Sequence, residues 1–170
     1  RPRKPSSWPI FALRLAPSRS TIVTFMPRRI VPRTMRPIAI VPCNADLMAP
    51  RVKDIGDALR AQVLFPGEAR TRRVKDVAIC AMTVQNAVKA LKPGTLVLTP
   101  GDRMDMLLAA AMTVQSGTPL AGVVLTGGIA PDRRVLDLCR KVFDSGLPLL
   151  AVQGSSYHAA THVASMNPTI

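Results

Sequence analysis

Three short segments combine glycine with a hydroxyl, carboxylate or guanidinium side chain, and each follows an apolar run. Glycine lets a ligand approach the backbone closely, and the free N–H groups at a helix N-terminus favour phosphate or carboxylate. Arg103 could add a bidentate contact to such an anion. The chemistry that these segments suggest is binding of a small anion. The candidate ligand-binding residues are Gly101, Asp102, Arg103, Thr126, Gly127, Gly128, Gly154 and Ser155.

The same residues also suit an ordinary turn between a strand and a helix. Such a turn needs a glycine and a capping oxygen, and Asp102 and Ser155 could serve only as helix N-caps. The spacing alone therefore leaves both interpretations open.

No arrangement of side chains indicates a catalytic or metal site. His158 and His162 have the spacing that places two imidazoles on one helix face for a metal, but no third ligand is evident. Ser155 and His158 are too close along the chain to form a triad without a remote base. Asp102 and Asp105 fall in a helix first turn, which favours acidic residues anyway. We therefore predict no catalytic residue, no metal and no cofactor.

Apolar runs and helical patterns alternate along the chain from residue 37 onward. Strands are predicted at 38–41, 62–65, 74–81, 95–99, 121–125 and 147–152, and helices at 50–61, 84–91, 103–116, 131–145 and 155–165. The strands are apolar on both faces and the turns contain glycine, which is typical of parallel strands covered by helices. The predicted fold class is α/β, a mainly parallel sheet between two layers of helices. The three segments would then meet at the carboxyl edge of the sheet, where open α/β folds bind ligands.

The formal net charge of +13 is unevenly distributed. Residues 1–36 hold nine of the 23 basic residues, none of the ten acidic ones and many prolines, so the remainder carries only +4. We predict an irregular basic segment over 1–36 and one α/β domain over 37–170. Segment 1–36 has three interpretations: non-native sequence ahead of a true start at Met26 or Met35, a transit peptide, or a basic arm for nucleic acid. The first is favoured, and the near-neutral remainder argues against nucleic acid as a partner.

The three cysteines, Cys43, Cys80 and Cys139, are far apart and lie in or beside apolar runs. This pattern favours buried reduced thiols and a cytoplasmic location. No apolar run approaches the roughly 20 residues needed to span a bilayer, and no secretory signal is recognisable. We therefore predict no membrane partner.

The Gly-Asp-Arg sequence at 101–103, followed by Thr-Gly-Gly at 126–128, resembles the DRTGG domain, which is named for these residues. The similarity extends to segments 39–51, 71–82, 93–105 and 122–128, which resemble the DRTGG domain of long phosphate acetyltransferases. It covers residues 37 to about 167.

This resemblance implies a central regulatory domain that helps to hold a homo-oligomer together and relays metabolite effects to a catalytic domain. The parent reaction converts acetyl-CoA and phosphate to acetyl phosphate and CoA. The implied partners are that catalytic domain and a small anionic or nucleotide effector. The chain has no G-x-x-x-x-G-K-[ST] motif and stops where the catalytic part should begin, so we expect no catalysis by the chain alone. A free-standing DRTGG metabolite sensor and a nucleic-acid binder that acts through its basic arm are the alternatives.

Overall fold

The computed structural model describes residues 48–166. Segment 1–36, Cys43 and the predicted strand at 38–41 lie outside the described residues. The predicted domain boundary at residue 37 therefore stays a prediction.

Five strands form a single sheet in the order β1-β5-β4-β3-β2. Their bounds are β1 Gln62–Phe65, β2 Asp76–Ile79, β3 Thr95–Pro100, β4 Gly122–Thr126 and β5 Leu149–Ala151. Strands β2 to β5 run parallel to one another, and β1 pairs antiparallel with β5. The predicted α/β class with a mainly parallel sheet is confirmed.

Helices cover both faces of this sheet. Their bounds are α1 Val52–Ala58, α2 Val84–Ala87, α3 Met104–Gln115, α4 Arg133–Asp144 and α5 Ser156–Ser165, and a 3-10 turn, Val88–Ala90, continues α2. Successive strand residues point to opposite faces, so Val97 packs with α2, α3 and α4 while Leu96 and Leu98 pack with α1 and α5. The two apolar cores make a three-layer domain.

The order of the elements creates a crevice at the carboxyl edge of the sheet. Strands β2, β3, β4 and β5 lie side by side in chain order, and helices α2, α3 and α4 between them lie on one face. After β5 the chain crosses to the other face, where α5 packs. The helices that follow the neighbouring strands β4 and β5 therefore lie on opposite faces of the sheet, which leaves a crevice between the two strand ends. Open α/β sheets bind ligands in crevices of this kind.

The direction of β1 follows from the short connection that precedes it. Three residues, Leu59 to Ala61, join α1 to β1, and Gln62 pairs with Ala151 at the carboxyl end of β5. Because α1 ends at this edge, β1 must start there and run opposite to β5.

Two predicted helices are shorter in the structure. The helix predicted at 50–61 is α1, which starts after Pro50 and Arg51 and ends before a left-handed residue, Arg60. The helix predicted at 84–91 becomes α2 and a 3-10 turn, which places Leu91 in the core ahead of Pro93. Within residues 48–166, no helix is long and apolar enough to cross a membrane.

Candidate functional site

Backbone hydrogen bonds join the three glycine-containing turns at the carboxyl edge. The Gly101 N–H donates to the Thr126 carbonyl at 2.9 Å, and the Gly127 N–H donates to the Gly154 carbonyl at 2.8 Å. The Gly128 N–H donates to the Val152 carbonyl at 3.0 Å. The turns after β3, β4 and β5 are thus adjacent, as the sequence predicts.

Two of these glycines are required, Gly101 by close packing against backbone and Gly128 by its backbone conformation. A Cβ on Gly101 would overlap the carbonyl oxygen of Ile129. At Gly128, φ is +66° and a Cβ would overlap the side-chain amide of Gln153. Both observations agree with a turn-forming role for glycine, so a ligand contact at these residues stays a prediction.

Hydroxyl groups fix the start of α5 against β4. Thr126 is 1% exposed, and its Oγ1 lies 2.6 Å from the Oγ of Ser156. Ser155 is the N-cap of α5, and its Oγ accepts a hydrogen bond from the His158 N–H at 3.3 Å. The capping role proposed for Ser155 is confirmed, and it holds the α5 N-terminus beside the β4–β5 crevice.

The N-cap of α3 is Arg103, so the interpretation in which Asp102 caps this helix does not hold. The reason is an extra turn of backbone before the helix. The Arg103 N–H donates to the Pro100 carbonyl, and the Met104 N–H donates to the Asp102 carbonyl. Asp102 is exposed to solvent at this turn.

The Arg103 guanidinium already has partners within the chain. Its Nε and Nη2 each donate to the Asp105 carboxylate at 2.8 Å, and its two Nη atoms donate to the carbonyls of Ala81 and Met82. The hydrogen bond from Arg103 lowers the pKa of Asp105, and the same bond raises the pKa of Arg103. Arg103 thus ties the segment after β2 to the start of α3, and an anion that bound there would compete with Asp105.

A cleft of about 330 Å³, which the sequence did not predict, lies at the same edge between the end of α1 and α5. Its described lining contains three basic side chains and no acidic one. The lining residues are Ala58, Leu59, Arg60, Val152, Gly154, His158, Ala159 and His162. His158 and His162 are exposed and line this cleft, with their rings 6.3 Å apart.

An unusual helix ending places Arg60 in this cleft. Its φ is +50°, and the N–H groups of Arg60 and Ala61 donate to the carbonyls of Asp57 and Gly56. These two bonds form a Schellman motif, in which glycine usually occupies the left-handed position. Because no glycine follows α1, the sequence gives no sign of this ending. The spacing of the two histidines was the only available signal.

Neither described cysteine has the character of a nucleophile. Cys80 and Cys139 are both 2% exposed and are not paired in a disulfide. Burial raises the pKa of Cys80 to about 11, against the opposing effect of Arg103, and burial also raises the pKa of Cys139. Among the described residues, no group of three or more His, Cys, Asp or Glu side chains could hold a metal ion.

Comparison with known proteins gives matches along most of the described chain. The family model for the DRTGG domain matches residues 54–166. The phosphate acetyltransferase of Pseudomonas aeruginosa is 44% identical over 135 residues, which cover 79% of this chain and 19% of that enzyme. The phosphate acetyltransferase of Nitrosomonas europaea is 41% identical over 133 residues, which cover 78% and 19%. The chain thus spans about a fifth of the length of these curated relatives.

A solved structure has the same fold. It contains the CBS and DRTGG domains of the regulatory region of Clostridium perfringens pyrophosphatase, complexed with the activator diadenosine tetraphosphate. The TM-score is 0.57 at 18% sequence identity, and the match covers 75% of this chain and 53% of that one. At this identity the likeness concerns the fold.

Proposed function

The chain belongs to the DRTGG domain family, and from that premise we propose that it is the regulatory domain of a phosphate acetyltransferase and is not catalytic by itself. The observation that carries the proposal is the 44% identity over 135 residues with the Pseudomonas aeruginosa enzyme. In the parent enzyme, a separate catalytic domain would convert acetyl-CoA and phosphate to acetyl phosphate and CoA. The proposed partners of this domain are that catalytic domain and further copies of the same chain.

The proposed regulatory ligand is a small anion or a nucleotide at the carboxyl edge of the sheet. The crevice between β4 and β5 supports this proposal, because the exposed residues Gly127, Gly128 and Ser155 border it beside the α5 N-terminus. Binding of a nucleotide activator by the regulatory region of the Clostridium perfringens pyrophosphatase supports the class of ligand. The turn next to this crevice would be shaped by Gly101, Asp102 and Arg103. The position of the crevice would be fixed by Thr126 and Gly154.

Two measurements test the regulatory assignment. The purified chain is assayed for acetyl-CoA formation from acetyl phosphate and CoA, with the Pseudomonas aeruginosa enzyme as the positive control. We expect no turnover by the chain, and robust turnover would contradict the proposal.

The second measurement is the mass of the protein in its source cell, detected with an antibody to this domain and mapped by peptides beyond Ile170. We expect a protein several times larger than 18.3 kDa, with peptides from a transferase domain. A protein of 18.3 kDa or less would favour a free-standing DRTGG sensor and overturn the assignment to a larger enzyme.

A further inference from the structure

We propose that the cleft between α1 and α5 binds a nucleoside monophosphate, whose phosphate is held by Arg60 and by the imidazoles of His158 and His162. This inference rests on the proposed regulatory function for its biological consequence, whereas the binding itself can be measured on the chain alone. The cleft shares only Gly154 with the ligand-binding residues predicted from sequence.

The charge of the cleft favours an anion. Arg60, His158 and His162 line it, and its described lining has no carboxylate. The carbonyl groups at the C-terminus of α1 do not oppose an anion strongly, because Arg60 and Ala61 donate hydrogen bonds to two of them. A guanidinium can form a bidentate contact with phosphate, and imidazole nitrogens can donate further hydrogen bonds.

The conformation of Arg60 is the second argument. Among the described residues it is the only one other than glycine with a positive φ, and its side chain is exposed. The left-handed conformation is costly for any residue with a Cβ, so glycine would satisfy this helix ending better. Arginine at this position has a conformational cost without a compensating internal contact among the hydrogen bonds and ion pairs of the described residues. Binding of a ligand by the guanidinium explains why arginine occupies this left-handed position.

The size and the apolar part of the cleft indicate the rest of the ligand. Its volume of about 330 Å³ is at the lower end of the range for small-molecule sites. Aliphatic side chains form about half of the lining, from Ala58, Leu59, Val152 and Ala159. An anion with a flat apolar face therefore fits better than inorganic phosphate alone, and a mononucleotide fits better than a longer dinucleotide.

The test is calorimetric titration of the full chain with AMP at low salt, for wild type and for Arg60→Gly. We expect Arg60→Gly to weaken AMP binding at least tenfold and to raise the thermal midpoint, since glycine suits the left-handed position. If Arg60 served only the fold, Arg60→Gly would lower the thermal midpoint and leave AMP binding unchanged. The control is Arg70→Ala, which removes the same charge from an exposed residue beyond β1 and should leave AMP binding within twofold.

Further titrations define the ligand class. We expect His158→Gln with His162→Gln to weaken AMP binding, Arg60→Lys to retain part of it, and both adenosine and inorganic phosphate to bind more weakly than AMP. The inference is overturned if AMP does not bind wild type, or if Arg60→Gly binds it as tightly as wild type. Acetyl transfer by the chain would instead contradict the proposed function and leave the cleft assignment standing, so the two failures are distinguishable.

Discussion

Two clefts of similar size lie at opposite edges of the sheet and differ in charge. The carboxyl-edge cleft, about 330 Å³, is lined by Arg60 and two histidines. The amino-edge cleft, about 390 Å³, lies between the end of β1 and the end of α4, and its lining includes Glu68 and Asp144. Volume therefore does not separate the two clefts as candidates for an anionic effector, but the sign of their charge does.

The backbone of the two edges differs in the same sense. Beside the amino-edge cleft the left-handed positions are occupied by Gly67, with φ of +41°, and Gly146, with φ of +110°. A Cβ on Gly67 would lie 2.6 Å from the Gly146 carbonyl oxygen, so glycine is required there for packing. At the carboxyl edge the left-handed position beside the cleft carries Arg60. Glycine thus occupies the left-handed positions beside the amino-edge cleft, and arginine occupies the one beside the carboxyl-edge cleft, where we propose that the side chain is used.

The largest predicted effect tests whether the amino edge is a packing region. Phe143 is 2% exposed, and its ring stacks on Phe65 with centroids 4.6 Å apart. We expect Phe143→Ala to lower the free energy of unfolding by about 3–5 kcal/mol in urea denaturation. Leu138→Ala on the same helix is the control, because Leu138 is 75% exposed and its loss should cost less than about 0.5 kcal/mol. Equal effects of the two substitutions would contradict this account of the amino edge.

A smaller loss in the free energy of unfolding is expected from substitutions in the glycine turns that pack together at the carboxyl edge. Gly101→Ala would press a methyl group against the Ile129 carbonyl and should cost roughly 1–3 kcal/mol in the same measurement. Gly154→Ala is the matched control, because its Cβ would lie at an ordinary 3.4 Å from His158. If both variants have wild-type stability, these turns are looser than the hydrogen bonds between them indicate.

In contrast to the substitutions above, Arg60→Gly should stabilise the folded chain. Relief of the left-handed strain should raise the free energy of unfolding by about 1 kcal/mol, measured by urea denaturation without ligand. Arg70→Ala should leave it unchanged within about 0.5 kcal/mol. A less stable Arg60→Gly would mean that Arg60 supports the fold, and it would remove the conformational argument for a ligand.

The smallest predicted effect concerns the Arg103–Asp105 ion pair. The pKa of Asp105 is lower in the folded chain, so its stabilisation is present above the pKa of the unfolded carboxyl and is lost as pH falls through the folded value. Because the Asp105 side chain is 49% exposed, the effect should be below about 1 kcal/mol.

Asp105→Asn should therefore be less stable than wild type at pH 7, and the difference should shrink as pH falls below the pKa of the unfolded carboxyl, as followed by urea midpoints. Asp137→Asn is the control, since its ion pair with Arg140 is more exposed on both sides. A difference between Asp105→Asn and wild type that does not change with pH would contradict the electrostatic origin.

Local pattern was sufficient to predict most elements of the fold. Strand β1 has the predicted bounds, 62–65, because a short apolar run ends at Pro66-Gly67. The antiparallel direction of β1 depends on where α1 ends, which periodicity does not show. The three glycine turns were found because parallel strands bring their carboxyl ends together.

The contacts that sequence could not predict join residues far apart along the chain. Arg103 donates to the carbonyls of Ala81 and Met82, more than twenty residues away, and is the N-cap of α3, a position that the sequence alone left open to Asp102. Arg60 lines the same cleft as His158 and His162, about one hundred residues away along the chain. Local sequence does not show that these distant residues share one cleft.

The most direct test of the account is a titration of the ¹⁵N-labelled full chain with AMP, followed by NMR chemical-shift changes. The predicted result is that the largest changes occur at Arg60, Gly154, His158 and His162, with smaller ones at Gly127 and Gly128 across the β4–β5 crevice. Changes centred on Gly67, Glu68 and Gly146 at the amino edge, or no change at millimolar AMP, would contradict an effector site at the carboxyl edge.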